Sequence, residues 1–93
     1  MELKGKTILI TGGGSGIGLE AIKQFLENGC KVIITGRSQA KLDDAKKQFP
    51  TITAFNSDVA NAEDAKKLYK QIESLGGIDI LYNNAGGLVN PKI

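Results

Sequence analysis

The sequence predicts an α/β fold built on a parallel sheet, and three observations predict it. Four short runs rich in aliphatic and β-branched residues, 7–11, 31–35, 51–56 and 78–82, alternate with three segments of helical periodicity. The connections are a few residues long, which suits βαβ units with right-handed crossovers. The first run, Thr-Ile-Leu-Ile-Thr, is continuously apolar at its centre, as a strand covered on both faces requires.

Each element has its own warrant. Residues 7–11 form strand one. Residues 16–28 form a helix with Leu19, Ile22, Phe25 and Leu26 on one stripe, closed by Gly29 as a C-terminal cap. Residues 31–35 are strand two. Residues 38–49 form the second helix: Ser38 is its N-cap, Leu42, Ala45 and Phe49 share a face, and Pro50 stops it. Residues 51–56 are strand three. Residues 61–75 form the third helix, with Asn61 and Asp64 at N-cap and N3 spacing and with Ala65, Leu68, Tyr69 and Ile72 facing inward. Gly76-Gly77 ends it, and residues 78–82 are strand four. Residues 86–93 carry no clear element. No linker or repeat divides the chain, so residues 1–93 read as a single domain.

Composition narrows the function classes. Net charge is +2 over 93 residues with acids and bases interspersed, which argues against a nucleic-acid surface. One cysteine, Cys30, excludes an internal disulfide and suits a reducing compartment. With no histidine, a transition-metal site is not expected. No apolar run approaches the roughly 18–20 residues of a membrane span, and the first residues do not read as a signal peptide. A cytoplasmic protein is the expectation.

The most informative stretch is residues 7–18, where strand one breaks into Gly-Gly-Gly-Ser-Gly-Ile-Gly and flows into the first helix. The first N–H groups of a helix have no intrahelical partner, and the dipole places partial positive charge there. A glycine turn ahead of such an end lets a phosphate approach without meeting a Cβ. The glycines that matter, Gly12, Gly16 and Gly18, are spaced G-x-x-x-G-x-G. G-x-G-x-x-G does not fit in any register. The triphosphatase phosphate loop also fails, because Leu19 stands where its lysine belongs.

Four motifs in register resemble the short-chain dehydrogenase/reductase family: Thr11-Gly12-x-x-x-Gly16-Ile17-Gly18, Thr35-Gly36-Arg37, Asp58-Val59 and Asn83-Asn84-Ala85-Gly86. Each stands at the C-terminal end of a predicted strand. The resemblance covers essentially the whole chain. It implies a three-layer Rossmann-type sheet, partial here, with four strands in the order 3-2-1-4 and three helices. It further implies a dinucleotide lying across the C-terminal edge of the sheet. The cofactor-binding residues carried over are Gly12, Ser15, Gly16, Ile17, Gly18, Arg37, Asp58, Val59, Asn84, Ala85 and Gly86. In that arrangement Gly12 makes the tight turn, and Gly16 and Gly18 admit the pyrophosphate. Ser15 lies near a phosphate or ribose. Asp58 accepts from the adenine amino group with Val59 on the ring, and residues 83–86 line the nicotinamide ribose.

Residues 35–38 bear on the choice of cofactor. An NAD binder offers a carboxylate about twenty residues beyond the glycines to hold the ribose diol. Here the region reads Thr-Gly-Arg-Ser, with no acid before Asp43. A carboxylate repels a 2′-phosphate, whereas a guanidinium pairs with it through two hydrogen bonds. Arg37 therefore tilts the expectation to NADP, with NAD possible. The family's frequent second basic residue is absent, since Ser15 stands in its place.

The chemistry of the family uses a serine, a tyrosine with a lysine four residues later, and a downstream asparagine. A phenol with a pKa near ~10 is a poor acid–base group at neutral pH without a neighbouring cation. Four residues after Tyr69 is Glu73, and four after Tyr82 is Gly86, so neither makes the pair. No catalytic residue is assigned. The chain reads as the cofactor-binding half of an NAD(P)-dependent oxidoreductase, inactive by itself. The alternative is a catalytically silent nucleotide-binding or structural module. A methyltransferase, which also uses a glycine turn, is opposed by Arg37 at the end of strand two. A homo-oligomer is expected through the outer edge of strand four, which would lack a neighbour. One sheet face would also lack a helix, exposing apolar side chains of strands one and four.

Overall fold

In the computed structural model the apolar runs pair as β1 (Thr7–Thr11), β2 (Lys31–Gly36), β3 (Thr53–Asn56) and β4 (Ile80–Asn83). The helices α1 (Gly16–Glu27), α2 (Gln39–Gln48) and α3 (Ala62–Ser74) are the crossovers. The structure describes residues 2–12, 16–58, 61–83 and 87–89; for 16, 17 and 87–89 it describes the backbone. The four strands are parallel in the order β3-β2-β1-β4, as expected. β1 is central because its middle residues are apolar on both faces. Ile8 and Ile10 sink into a cluster with Ile22, Ile34, Leu42 and Ala45 on the α1–α2 side. Leu9 joins Ile33, Leu68 and Ile72 on the α3 side. Alternating side chains of one strand thus build two cores, which makes three layers.

The helix ends follow the residues that mark them. Gly29 adopts φ +82°, where a Cβ is strained. Its N–H donates to Leu26 O (3.0 Å), and the Cys30 N–H reaches Phe25 O (3.0 Å), a Schellman closure of α1. Ser38 Oγ accepts from Lys41 N at the start of α2. Asn61 Oδ1 accepts from the N–H groups of Glu63 (2.9 Å) and Asp64 (3.1 Å) at the start of α3. Cys30 is a buried free thiol that donates to Leu3 O (3.3 Å), and burial pushes its pKa up.

Five expectations change. β3 begins at Thr53, not 51, because the chain after Pro50 makes a turn in which the Ile52 N–H donates to Phe49 O, seating Ile52 in the α2-side core. β4 begins at Ile80, not 78, because Asp79 closes the foot of the sheet. Its N–H donates to Thr7 O, and its carboxylate accepts from the Thr7 N–H (both 2.8 Å). Tyr69 does not face inward. Leu68 and Ile72, one turn apart, occupy the core stripe, while Tyr69 is 57% exposed beside a groove of about 210 Å³ between α3 and β4. On that face Leu9 is nevertheless buried and Leu81 half-buried, so α3 covers more of β1 than expected.

The fifth change concerns the tail. Residues Gly87–Val89 form a fifth strand, β5, antiparallel to β4 with Asn83 opposite Gly87 and Leu81 opposite Val89. The outer edge of β4 is therefore paired over Leu81–Asn83. This removes the open edge on which the expected homo-oligomer was to form, because the backbone groups it needed already have a ladder.

Candidate functional site

Parallel strands end together, so the residues after β1, β2, β3 and β4 share one edge of the sheet. β1 connects forward to β2 on one side, and β4 lies on its other side, so the strand order reverses beside β1. Gly12 follows β1 with φ +69°, a turn that L side chains rarely adopt, and its N–H is tied to Thr35 O (2.8 Å). α1 opens at Gly16 without an acidic side chain in its first turn, and Gly18 is buried there. The positive end of this helix is thus not offset by a carboxylate of its own turn. α3 contrasts with it: Glu63 and Asp64 stand in its first turn and Asn61 caps it, so that end is already supplied with negative groups.

Arg37 directly follows β2 and is exposed, with Ser38 beside it. The next acid along, Asp43, accepts from the Gln39 side-chain amide (2.9 Å), whose oxygen accepts from Asn56 Nδ2 (3.1 Å).

Asp58, half-buried, follows β3. The preceding Ser57 continues the ladder by donating from its N–H to Gly36 O (2.9 Å). Its hydroxyl is buried and has no hydrogen-bond partner among the described residues. Asp58 is held at both backbone groups: its N–H donates to Asp64 Oδ2 (3.1 Å), and its carbonyl accepts from the Asn61 N–H (2.9 Å). At the end of β4, Asn83 Oδ1 accepts from the Thr11 hydroxyl (3.3 Å), joining the ends of the two central strands.

The structure therefore brings Gly12, Gly16, Ile17, Gly18, Arg37 and Asp58 to one edge. Ser15, Val59, Asn84, Ala85 and Gly86 lie outside the described residues. Sequence reasoning missed the Asp64–Asp58 and Thr11–Asn83 bonds. The N3 position of Asp64 was a visible signal, but it pointed to its own helix start and not six residues back. Tyr82 is half-buried with its ring edge-on to Phe25 at 6.2 Å, and Tyr69 lies out on α3. Among the described residues no group of three or more acidic, cysteine or histidine side chains could hold a metal.

Comparison with known proteins gives the family of the chain. Residues 6–93 match the short chain dehydrogenase family. The chain belongs to that family. An uncharacterized oxidoreductase of Bacillus subtilis, DltE, is 45% identical over 87 residues, covering 92% of this chain and 34% of that protein. The oxidoreductase asL5 of Sarocladium schorii is 42% identical over 93 residues, covering 97% of this chain and 37% of that one. The crystal structure of a short chain dehydrogenase from Bacillus anthracis superposes with a TM-score of 0.80 at 46% identity over 91% of this chain and 36% of its own. The chain thus spans about a third of the length of these relatives. The short-chain dehydrogenase family uses a nicotinamide dinucleotide. The residues present fit one: a positive-φ glycine after β1, an α1 start free of acids in its first turn, and a carboxylate after β3. No helix among the described residues is long and apolar enough to cross a membrane.

Proposed function

We propose that this chain is the dinucleotide-binding portion of a short-chain oxidoreductase, and that it takes NADP in preference to NAD. The observation that carries the cofactor preference is Arg37, exposed at the end of β2 with Asp43 engaged by Gln39. Gly12, Gly16 and Gly18 would receive the pyrophosphate at the start of α1. Arg37 would pair with the 2′-phosphate, and Asp58 would accept from the adenine amino group. When bound, the nicotinamide supplies the hydride acceptor or donor. The chain's own residues bind and orient; none of them is assigned to proton transfer. The cytoplasm is the setting this reading favours, since its one cysteine is a buried, free thiol.

The test is a titration of NADPH and NADH into the chain and into Arg37→Ala at low salt. NADPH is expected to bind more tightly. The variant is expected to lose about tenfold in NADPH affinity, the worth of roughly 1.4 kcal/mol for an exposed charge-assisted pair, with NADH little changed. Equal affinities in the unmodified chain, or an Arg37→Ala chain that keeps its NADPH affinity, would contradict the proposal.

A further inference from the structure

We infer that Asp64 is a positioning residue for recognition of the base: it fixes the Asp58 peptide so that the Asp58 carboxylate selects a 6-amino purine. This rests on reading the carboxyl edge of the sheet as the dinucleotide site.

An acid at N3 of a helix ordinarily reaches back to the N–H of its own N-cap. Here it does not. The Asn61 N–H donates to Asp58 O (2.9 Å), and the Asp64 carboxylate passes over the cap to take the Asp58 N–H (3.1 Å). The Asp64 N–H separately donates to Asn61 Oδ1 (3.1 Å), a bond of the helix cap and not of the hold on Asp58. Both backbone groups of Asp58 are thus anchored to the first turn of α3, one through Asn61 and one through Asp64. On the other side, the Ser57 N–H ties the chain to Gly36 O at the end of β2 (2.9 Å). The segment bearing Asp58 is therefore clamped between the Arg37 turn and α3.

An ionised carboxylate only accepts hydrogen bonds. At Asp58 it rewards a base edge that donates, the amino group of adenine, and disfavours one that presents a carbonyl, as hypoxanthine does. That discrimination depends on holding the carboxylate in place, since a misplaced hydrogen bond loses its strength steeply with angle. A helix start can be capped by Asn61 alone. The bond from Asp64 to a residue outside the helix is what a cap by itself does not require.

The experiment titrates the 93-residue chain with NADPH and with its hypoxanthine analogue, which differs at the 6-amino group of the base. The unmodified chain is expected to prefer NADPH by about tenfold, the value of one good hydrogen bond. Asp64→Ala is expected to bring the two affinities to within roughly twofold, and Asp64→Asn, whose amide oxygen still accepts, to restore the preference. Asn61→Ala serves as the structural control: it loses the cap, and with it melting temperature, while keeping the preference. If Asp64→Ala does not fold, Asp64→Leu, which also lacks an acceptor, is read in its place. A folded Asp64→Ala or Asp64→Leu chain that keeps the full preference overturns the inference. An unmodified chain that binds both dinucleotides equally overturns base reading by Asp58, and no binding of either overturns the site itself.

Discussion

Gly16 and Ser57 show two opposite uses of a small side chain at the carboxyl edge. Gly16 opens α1, and in the proposed site its missing Cβ would let a phosphate come close. A valine there is no worse a helix former than glycine, yet in the proposed site its branches would occupy the space a phosphate needs. Gly16→Val is expected to keep its helical circular dichroism and to lose NADPH binding by roughly a hundredfold or more. Unchanged affinity in the folded variant would show that the phosphate sits elsewhere. Ser57 is the converse case, a buried hydroxyl without a partner among the described residues. Such a group costs about 1–3 kcal/mol. Ser57→Ala is therefore expected to raise stability, by up to about 1 kcal/mol in urea denaturation. A loss of stability would mean that the hydroxyl has a partner.

Among the elements, caps were readable and edges were not. Ser38, Asn61 and Gly29 are each the residue type their position demands, and each does what its type predicts. Asn61→Ala, which removes two bonds from the start of α3, should cost about 1 kcal/mol of stability, seen as a lower midpoint at unchanged denaturant slope. A cost near zero would mean that the Glu63 and Asp64 N–H groups find other acceptors once the Asn61 side chain is gone. The inward stripe of α3 was overdrawn because periodicity marks which residues share a face, not how much partner that face meets. Leu68 and Ile72 find β1 and β2, whereas Tyr69 looks onto the open groove beside β4. Asp79 carried no strand signal in its type, yet its two bonds to Thr7 set where β4 begins. β5 was illegible because three residues, Gly87–Val89, carry too little alternation to mark a strand.

For the whole molecule, the parallel sheet was legible because the βαβ rhythm is local in sequence, and its strand order came with the family resemblance of the four motifs. The links across the carboxyl edge of the sheet were not: Asp64 to Asp58 and Thr11 to Asn83 arise from how elements meet in space. The central claim is that a dinucleotide lies across the carboxyl ends of β1, β2 and β3. Backbone amide shifts in a two-dimensional NMR titration with NADPH test this most directly. The largest changes are expected at Gly12, Gly18, Arg37 and Asp58, with Lys31, Cys30 and Thr53 at the opposite edge undisturbed. Changes centred on that opposite edge, or none at NADPH concentrations in the millimolar range (a weak-binding limit of about 4 kcal/mol), would contradict it.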